Sequence, residues 1–367
     1  MASVAPELNR LSETTNPSSP VGYLIPEFPG QTHVIFEREI ERLVELGQPV
    51  QIISTRCPRV NTCKHESLIE KSKSAFYLFP FNPLTNLAYC LTRPRQLASA
   101  LSLLREVSPR LVDRAKNLAF LLCGAKLARF AAQIGMTHVH SQTCGQGALI
   151  LAYAKRLGGP TYSLTLINPL KVFGPHQPQK WRDAAFALVL TQRLREEVHH
   201  TLNGDLPDLV KVAPLGVDTT VYHRSRPYEP WRGAGPARVF ACGRLNPCKG
   251  HADLIHAVAR LRGQGLNVTL AIAGEVDNPA STHRTELEAL IRQLGLEGAV
   301  SLLGALSEPD VRAQHGRAHV FCLASWEEPL GVAIIEAMAM SLPVVTTRAG
   351  GVPEIIDDQI HGVLVHP

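Results

Sequence analysis

No run of about 18 uninterrupted apolar residues occurs in this chain of 367 residues, so no bilayer-spanning helix is predicted. The segment 1–20 lacks the basic-then-apolar order of a signal peptide. It is polar, contains Ser, Pro and Glu, and reads as a disordered leader. A strong charge of one sign is also lacking. The 37 basic and 32 acidic residues leave a net charge of +5, compatible with anionic substrates or an anionic membrane surface but too weak to imply nucleic acid. Aromatics at 6% offer no stacking platform for bases. The eight cysteines (Cys57, Cys63, Cys90, Cys123, Cys144, Cys242, Cys248, Cys322) form no C-x-x-C pair. That disfavours a zinc ribbon or a thioredoxin-like site, and they read as reduced cytosolic thiols in apolar surroundings. The first strand–helix loop lacks G-x-G-x-x-G, which argues against a dinucleotide oxidoreductase.

What is present is a chain 45% hydrophobic and 19% charged, enough for an ample core and, at this length, two domains. Its most informative stretch runs from Ser325 to Glu354. Glu328 and Glu336 are eight residues apart. Pro329 and Gly331 break the backbone between them, and an apolar run from Gly331 suits a helix. Pro343 to Thr347 reads as a buried strand and Gly350-Gly351 as a turn. A helix tip holds phosphate well, because free N–H groups and the dipole both favour an anion. Carboxylates in the loop and in the helix then flank that tip, which suits a sugar-nucleotide.

Strands and helices alternate in both halves. The first half opens with a strand at 21–26, a loop at 27–33 turning at Pro29-Gly30, an amphipathic helix at 34–46 and a strand at 49–54. Residues 56–80 are less regular, with a short strand at 75–79. From 84 to 134 the chain reads as helices broken at Pro94 and Pro109, carrying Arg93, Arg95, Arg105, Arg110, Arg114, Lys116, Lys126 and Arg129 but few acids. Two readings stay open there: a basic amphipathic surface that touches anionic lipid, or ordinary helices with a solvated basic face. His138 and His140 share one face of a strand at 137–141. With no third ligand nearby, they read as satisfied or solvated histidines. Strands follow at 161–167 and 185–190, and a helix begins at Thr191. The second half restarts with a strand at 237–242. Arg244 and Lys249 then share one loop before a helix at 252–261; Arg grips a diphosphate with a planar fork, and Lys supplies a point charge. A strand at 268–273 ends in Gly274-Glu275.

The residues E-P-L-G-V-A-I-I-E-A-M-A and A-G-G-V-P-E-I-I resemble the donor-site signature of retaining GT-B glycosyltransferases, glycosyltransferase family 4. G-R-x4-K-G at Gly243–Gly250 is similar to that family's diphosphate loop, and Lys211 to Asp218 resembles its P-x-G-V-D segment. P-E-F-P-G-Q-T-H-V-I-F-E-R-E-I looks like the opening of its exopolysaccharide and colanic-acid-type members. The resemblance implies an α/β GT-B fold of two Rossmann-like domains facing a cleft. It implies an acceptor domain at 21–218, a linker at 219–236 and a donor domain at 237–367, with the C-terminal crossing helix of relatives missing from this sequence. By resemblance, Glu328 contacts the donor sugar and Glu336 the ribose. Arg244 and Lys249 neutralise the diphosphate; Leu330, Gly331 and Gly274 line the donor site; Gly30, Gln31 and Asn168 face the acceptor side of the cleft.

The implied reaction moves a sugar from a UDP- or GDP-linked donor to a saccharide or lipid-linked saccharide hydroxyl, as in exopolysaccharide biosynthesis. It needs no cofactor and no metal. The implied location is cytoplasmic, or peripheral at the inner face of the membrane. One departure supports an alternative. Aligned on Ser163, Thr165 and Pro169, relatives carry a histidine where this chain has Ile167 and a glycine where it has Asn168. Isoleucine cannot donate a hydrogen bond to the sugar, so the alternative is a non-catalytic nucleotide-sugar-binding protein.

Overall fold

The computed structural model describes residues 19–58, 63–108, 111–276 and 280–367. The leader expected at 1–20 lies almost wholly outside these residues, as does the helix break expected at Pro109. The first half contains β1 (Val21–Glu27), α1 (Val34–Glu45), β2 (Val50–Arg56), α2 (Glu66–Ser72), β3 (Phe76–Tyr77), α3 (Pro83–Leu91), α4 (Pro94–Val107) and α5 (Leu111–Ile134). It continues with β4 (His138–Ser141), α6 (Gln146–Arg156), β5 (Thr161–Leu166), α7 (Gln177–Trp181), β6 (Phe186–Val189), α8 (Gln192–Leu202) and β7 (Val210–Val212). The second half contains β8 (Ala237–Cys242), α9 (His251–Gly263), β9 (Val268–Ala273), α10 (His283–Gln293), β10 (Val300–Gly304) and α11 (Glu308–Arg317). It ends with β11 (Val320–Leu323), α12 (Val332–Ala339), β12 (Val344–Thr347) and β13 (Val363–Val365).

Two sheets result, and every strand pairing in them is parallel. The first has the order β3-β2-β1-β4-β5-β6-β7, the second β10-β9-β8-β11-β12-β13. Both are Rossmann-like, so the two-domain α/β architecture read from the sequence is the one observed. In each sheet the order reverses beside its first strand, between β1 and β4 and between β8 and β11. Loops leaving the strand ends at such a switch point splay to opposite faces and open a crevice, where ligands bind in open α/β sheets.

Apolar β-rich runs give the central strands. Tyr23, Leu24 and Ile25 of β1 and Phe321 of β11 are fully buried. In α1, Phe36 and Ile40 bury one stripe with Glu37 beside them, while Glu41, Arg42 and Glu45 face outward. The expected irregular stretch at 56–80 contains α2, whose one buried residue, Leu68, is too weak a signal to show amphipathic spacing. α7, β7 and β13 are likewise short elements that pattern reading did not find. Residues 213–236 contain no strand or helix. That stretch is docked on the second domain: the Arg224 guanidinium donates to the carbonyls of Met340 at 2.6 Å and His315 at 2.9 Å.

Candidate functional site

Because both sheets are parallel, all the switch-point loops leave at the carboxyl edges of the strands. A cavity of about 740 Å³ lies between the two domains and takes its wall from both. From the first come Gly30, Gln31, His33 and Arg38; from the second come Arg244, Gly274, Glu308 and Glu336.

The floor is held by a backbone ladder that continues past the strands. Gly243 N–H donates to Ala273 O at 2.9 Å, Leu245 N–H to Glu275 O at 3.0 Å and Gly274 N–H to Gly304 O at 2.8 Å. Gly274 has φ +148°, and a Cβ there would stand 1.9 Å from Gly243 O, so only glycine lets these two loops touch.

The carboxylates expected to flank the donor occupy different settings. Glu328 is 7% exposed and accepts from Lys249 Nζ at 2.6 Å and from Ser325 Oγ at 3.1 Å. Lys249 is offered to it by a short 3₁₀ turn, Pro247–Lys249, capped by the Asn246 side chain. Trp326 N–H donates to Cys248 O at 2.7 Å and locks the two loops together. From behind, the Gly350-Gly351 turn clamps the Glu328 backbone: Gly351 N–H donates to Glu328 O at 2.9 Å. Gly350 has φ +56°, and a Cβ there would lie 2.1 Å from the same oxygen. This close approach is the physical reason that A-G-G-V-P follows the E-P-L-G loop.

Glu336 lies on the buried face of α12, eight residues further on, and reaches the cavity. Its oxygen accepts from Arg38 Nη2 at 2.9 Å, across the domain boundary. Arg38 also contacts Glu308 at 3.3 Å, donates to the Tyr222 hydroxyl at 2.9 Å and stacks over that ring at 5.0 Å. Burial raises the Glu336 carboxyl above its usual range, and Arg38 works against that rise. Nη1 of Arg38 is buried without a partner among the described residues.

Gln31 bridges the domains as well, donating to Leu306 O at 3.0 Å and accepting from Lys64 N–H at 2.8 Å. Gly30 lies under the His33 ring, whose burial pulls its pKa down to about 4. Gly331 caps α12 with φ +94°.

Five of the expected site residues, Lys249, Glu328, Asn168, Leu330 and Gly331, are not part of the cavity wall. Lys249 and Glu328 pair with each other beside it. Asn168 follows β5 and is half-buried. The Leu330 side chain is 2% exposed and belongs to the apolar cluster of the first domain, so its backbone is what remains to meet a ligand. Ile167 packs partly buried against both apolar clusters of the first domain. His138 and His140 hydrogen-bond the hydroxyls of Thr161, Ser163 and Thr165 along β5, at 2.7 to 2.9 Å. Among the described residues no three His, Cys, Asp or Glu side chains converge as a metal site would require.

Sequence reading missed Arg38, Tyr222, Glu308 and Glu354. Helical periodicity alone puts Arg38 in the polar stripe of α1. The available signal was the width of that stripe: Glu37, Arg38 and Glu39 are consecutive, and all three cannot face water. Glu354 accepts from the N–H groups of Gln192 at 2.7 Å and Arg193 at 3.0 Å, capping α8 of the opposite domain.

The family model described as glycosyl transferases group 1 matches residues 232–367. Alpha-maltose-1-phosphate synthase of Mycolicibacterium smegmatis is 30% identical over 284 residues, 69% of this chain and 70% of that protein. MMP alpha-(1->4)-mannosyltransferase of Mycolicibacterium hassiacum is 34% identical over 151 residues, 41% of this chain and 34% of that protein. Among solved structures, Anabaena HepE in complex with UDP-glucose aligns with a TM-score of 0.70 at 19% identity, over 95% of this chain and 85% of that one. Sucrose-phosphate synthase of Thermosynechococcus elongatus aligns with a TM-score of 0.68 at 15% identity, over 95% and 86%. At such identities these two speak for the fold, which is GT-B. The fold, the loops at its two switch points and the kinship with the Mycolicibacterium smegmatis synthase over more than two thirds of both chains make this protein a member of the group 1 glycosyltransferases.

Proposed function

We propose that the cleft binds a nucleotide-sugar, UDP- or GDP-linked, and transfers its sugar with retention to a saccharide or lipid-linked saccharide hydroxyl. The observation that carries this reading is the grouping of Arg244, Gly274 and Glu336 on one interdomain cavity, with the Lys249–Glu328 pair beside it. Arg244, Lys249 and the N-terminus of α12 supply positive charge where a diphosphate leaving group gains negative charge. Glu336 and the spare Arg38 nitrogen offer an acceptor and a donor for ribose hydroxyls. Glu328 orients the sugar, and the acceptor enters past Gly30, Gln31 and Asn168. The UDP-glucose bound to Anabaena HepE supports a sugar-nucleotide as the donor class. Retention follows by resemblance, through front-face attack in which the leaving phosphate takes the acceptor's proton.

Turnover of radiolabelled nucleotide-sugars by the protein and by Ile167→His tests this reading. Transfer or slow donor hydrolysis by the unaltered protein is expected. Binding without turnover, with turnover restored by Ile167→His, would favour the non-catalytic alternative.

A further inference from the structure

We infer that α3 is a docking helix that lays its outer face on an anionic lipid bilayer. α3 packs inward through Asn86 and Cys90, and Arg129 of α5 anchors it by donating to Asn86 Oδ1 at 3.1 Å. Its outer face carries Leu84, Leu87 and Leu91, which are 76%, 46% and 63% exposed. At this spacing the three leucines form one stripe along the helix. Pro83–Leu91 contains no charged residue, so nothing on the helix itself explains a solvent-facing apolar stripe.

Along the chain, the charge that flanks the stripe is of one sign. Arg93 and Arg95 follow its last leucine, Arg93 stacking on the Tyr89 ring at 3.9 Å. No Asp or Glu occurs from Lys71 to Arg105. An apolar stripe edged by arginines fits the boundary between acyl chains and anionic headgroups, with leucines below and guanidinium groups among the phosphates. A second copy of this chain fits less well, because a contact through α3 would bring together two basic flanks with no acid between Lys71 and Arg105 to neutralise them. Placement agrees with this orientation. α3 follows β3, so it starts at the carboxyl edge of the first sheet, where the cleft loops also leave. A bilayer under α3 lies on the first domain, at the β3 end of the sheet whose carboxyl edge carries the cleft loops.

Co-sedimentation with vesicles tests the inference without any sugar-nucleotide, so its outcome is separate from the donor reading. The full chain is expected to bind vesicles of equal phosphatidylcholine and phosphatidylglycerol. L84Q/L87Q/L91Q is expected to weaken that binding by about a hundredfold. R93Q/R95Q is expected to weaken it by about tenfold and to flatten its salt dependence. Both variants should keep the far-ultraviolet circular dichroism and melting temperature of the parent. No binding to the anionic vesicles, equal binding to phosphatidylcholine alone, or equal binding by all three proteins would overturn the inference. A dimer in analytical ultracentrifugation that the leucine variant dissolves would also overturn it, by making a second copy the occupant.

Discussion

The guanidinium of Arg38, on α1 of the first domain, lies 2.9 Å from the carboxylate of Glu336, on α12 of the second. The side chains are only 19% and 10% exposed, so this pair ties the walls of the cleft together out of reach of most solvent. Arg38→Met leaves Glu336 buried without its main counter-charge, which costs about 3 kcal/mol. Glu336→Gln added to Arg38→Met should recover much of that loss, because it removes the stranded charge. Urea unfolding of the parent, both single variants and the double variant measures the coupling. Strictly additive losses would mean that the two residues do not interact.

The second pair, Lys249 and Glu328, lies within the second domain at 2.6 Å. Lys249→Met should lower kcat by about 10²- to 10³-fold, the usual cost of losing one charge-stabilising donor at a leaving group. Lys249→Arg should recover only part, since a guanidinium fork does not fit the seat of a single ammonium. Steady-state transfer assays check both. Unchanged kcat in Lys249→Met would remove Lys249 from the reaction.

Glu354 holds the domains together in another way, as the cap of α8. Its carboxylate takes two N–H groups that the helix cannot satisfy itself. Glu354→Ala should destabilise the protein by about 1–2 kcal/mol. It should also speed hydrogen exchange at the Gln192 and Arg193 amides. Thermal unfolding and exchange mass spectrometry read the two effects, and protection unchanged at these amides would contradict the cap.

Four histidines, His33, His140, His251 and His315, are each held down to about 4 by loss of solvent around the ring, below an ordinary 6.5. The unfolded chain therefore binds more protons than the folded one between these values, and stability rises with pH across that window. The contribution is complete above about pH 6.5 and is lost as the pH falls towards 4. At about 1.4 kcal/mol per pKa unit, each histidine costs about 2 kcal/mol at pH 5. His315 is fully buried, with ring centres 5.0 Å from Phe240 and 5.5 Å from Phe321. His315→Leu should shrink the loss of stability between pH 7 and pH 5 by about that amount. Urea titrations at the two pH values decide it, and an equal loss in both proteins would contradict the assignment.

Much of the fold was legible because the sequence repeats one simple alternation. Apolar strands such as Val268–Ala273 end in glycine-bearing loops, and amphipathic helices follow them. The glycine-bearing loops of the second domain were legible because they depend on local backbone needs. Gly274 and Gly350 stand where a Cβ would strike a carbonyl, and such positions mark themselves in a sequence. Arg38 and Glu354 were not legible, because their partners lie 298 and 162 residues away in the other domain. Periodicity assigns a charged residue to a polar stripe but does not say what that stripe faces. Leu330 shows the same limit: its place in the motif suggested a donor contact, while its side chain is buried in the apolar cluster of the first domain.

Arg244 and Glu336 are proposed to hold a nucleotide-sugar in the interdomain cavity. Isothermal titration of the protein with UDP-glucose and a panel of other UDP- and GDP-sugars tests it most directly. One donor should bind, with affinity falling at least tenfold, about 1.4 kcal/mol, in both Arg244→Ala and Glu336→Ala. No binding by any donor in the panel, or binding untouched by both substitutions, would contradict a donor site at these two residues.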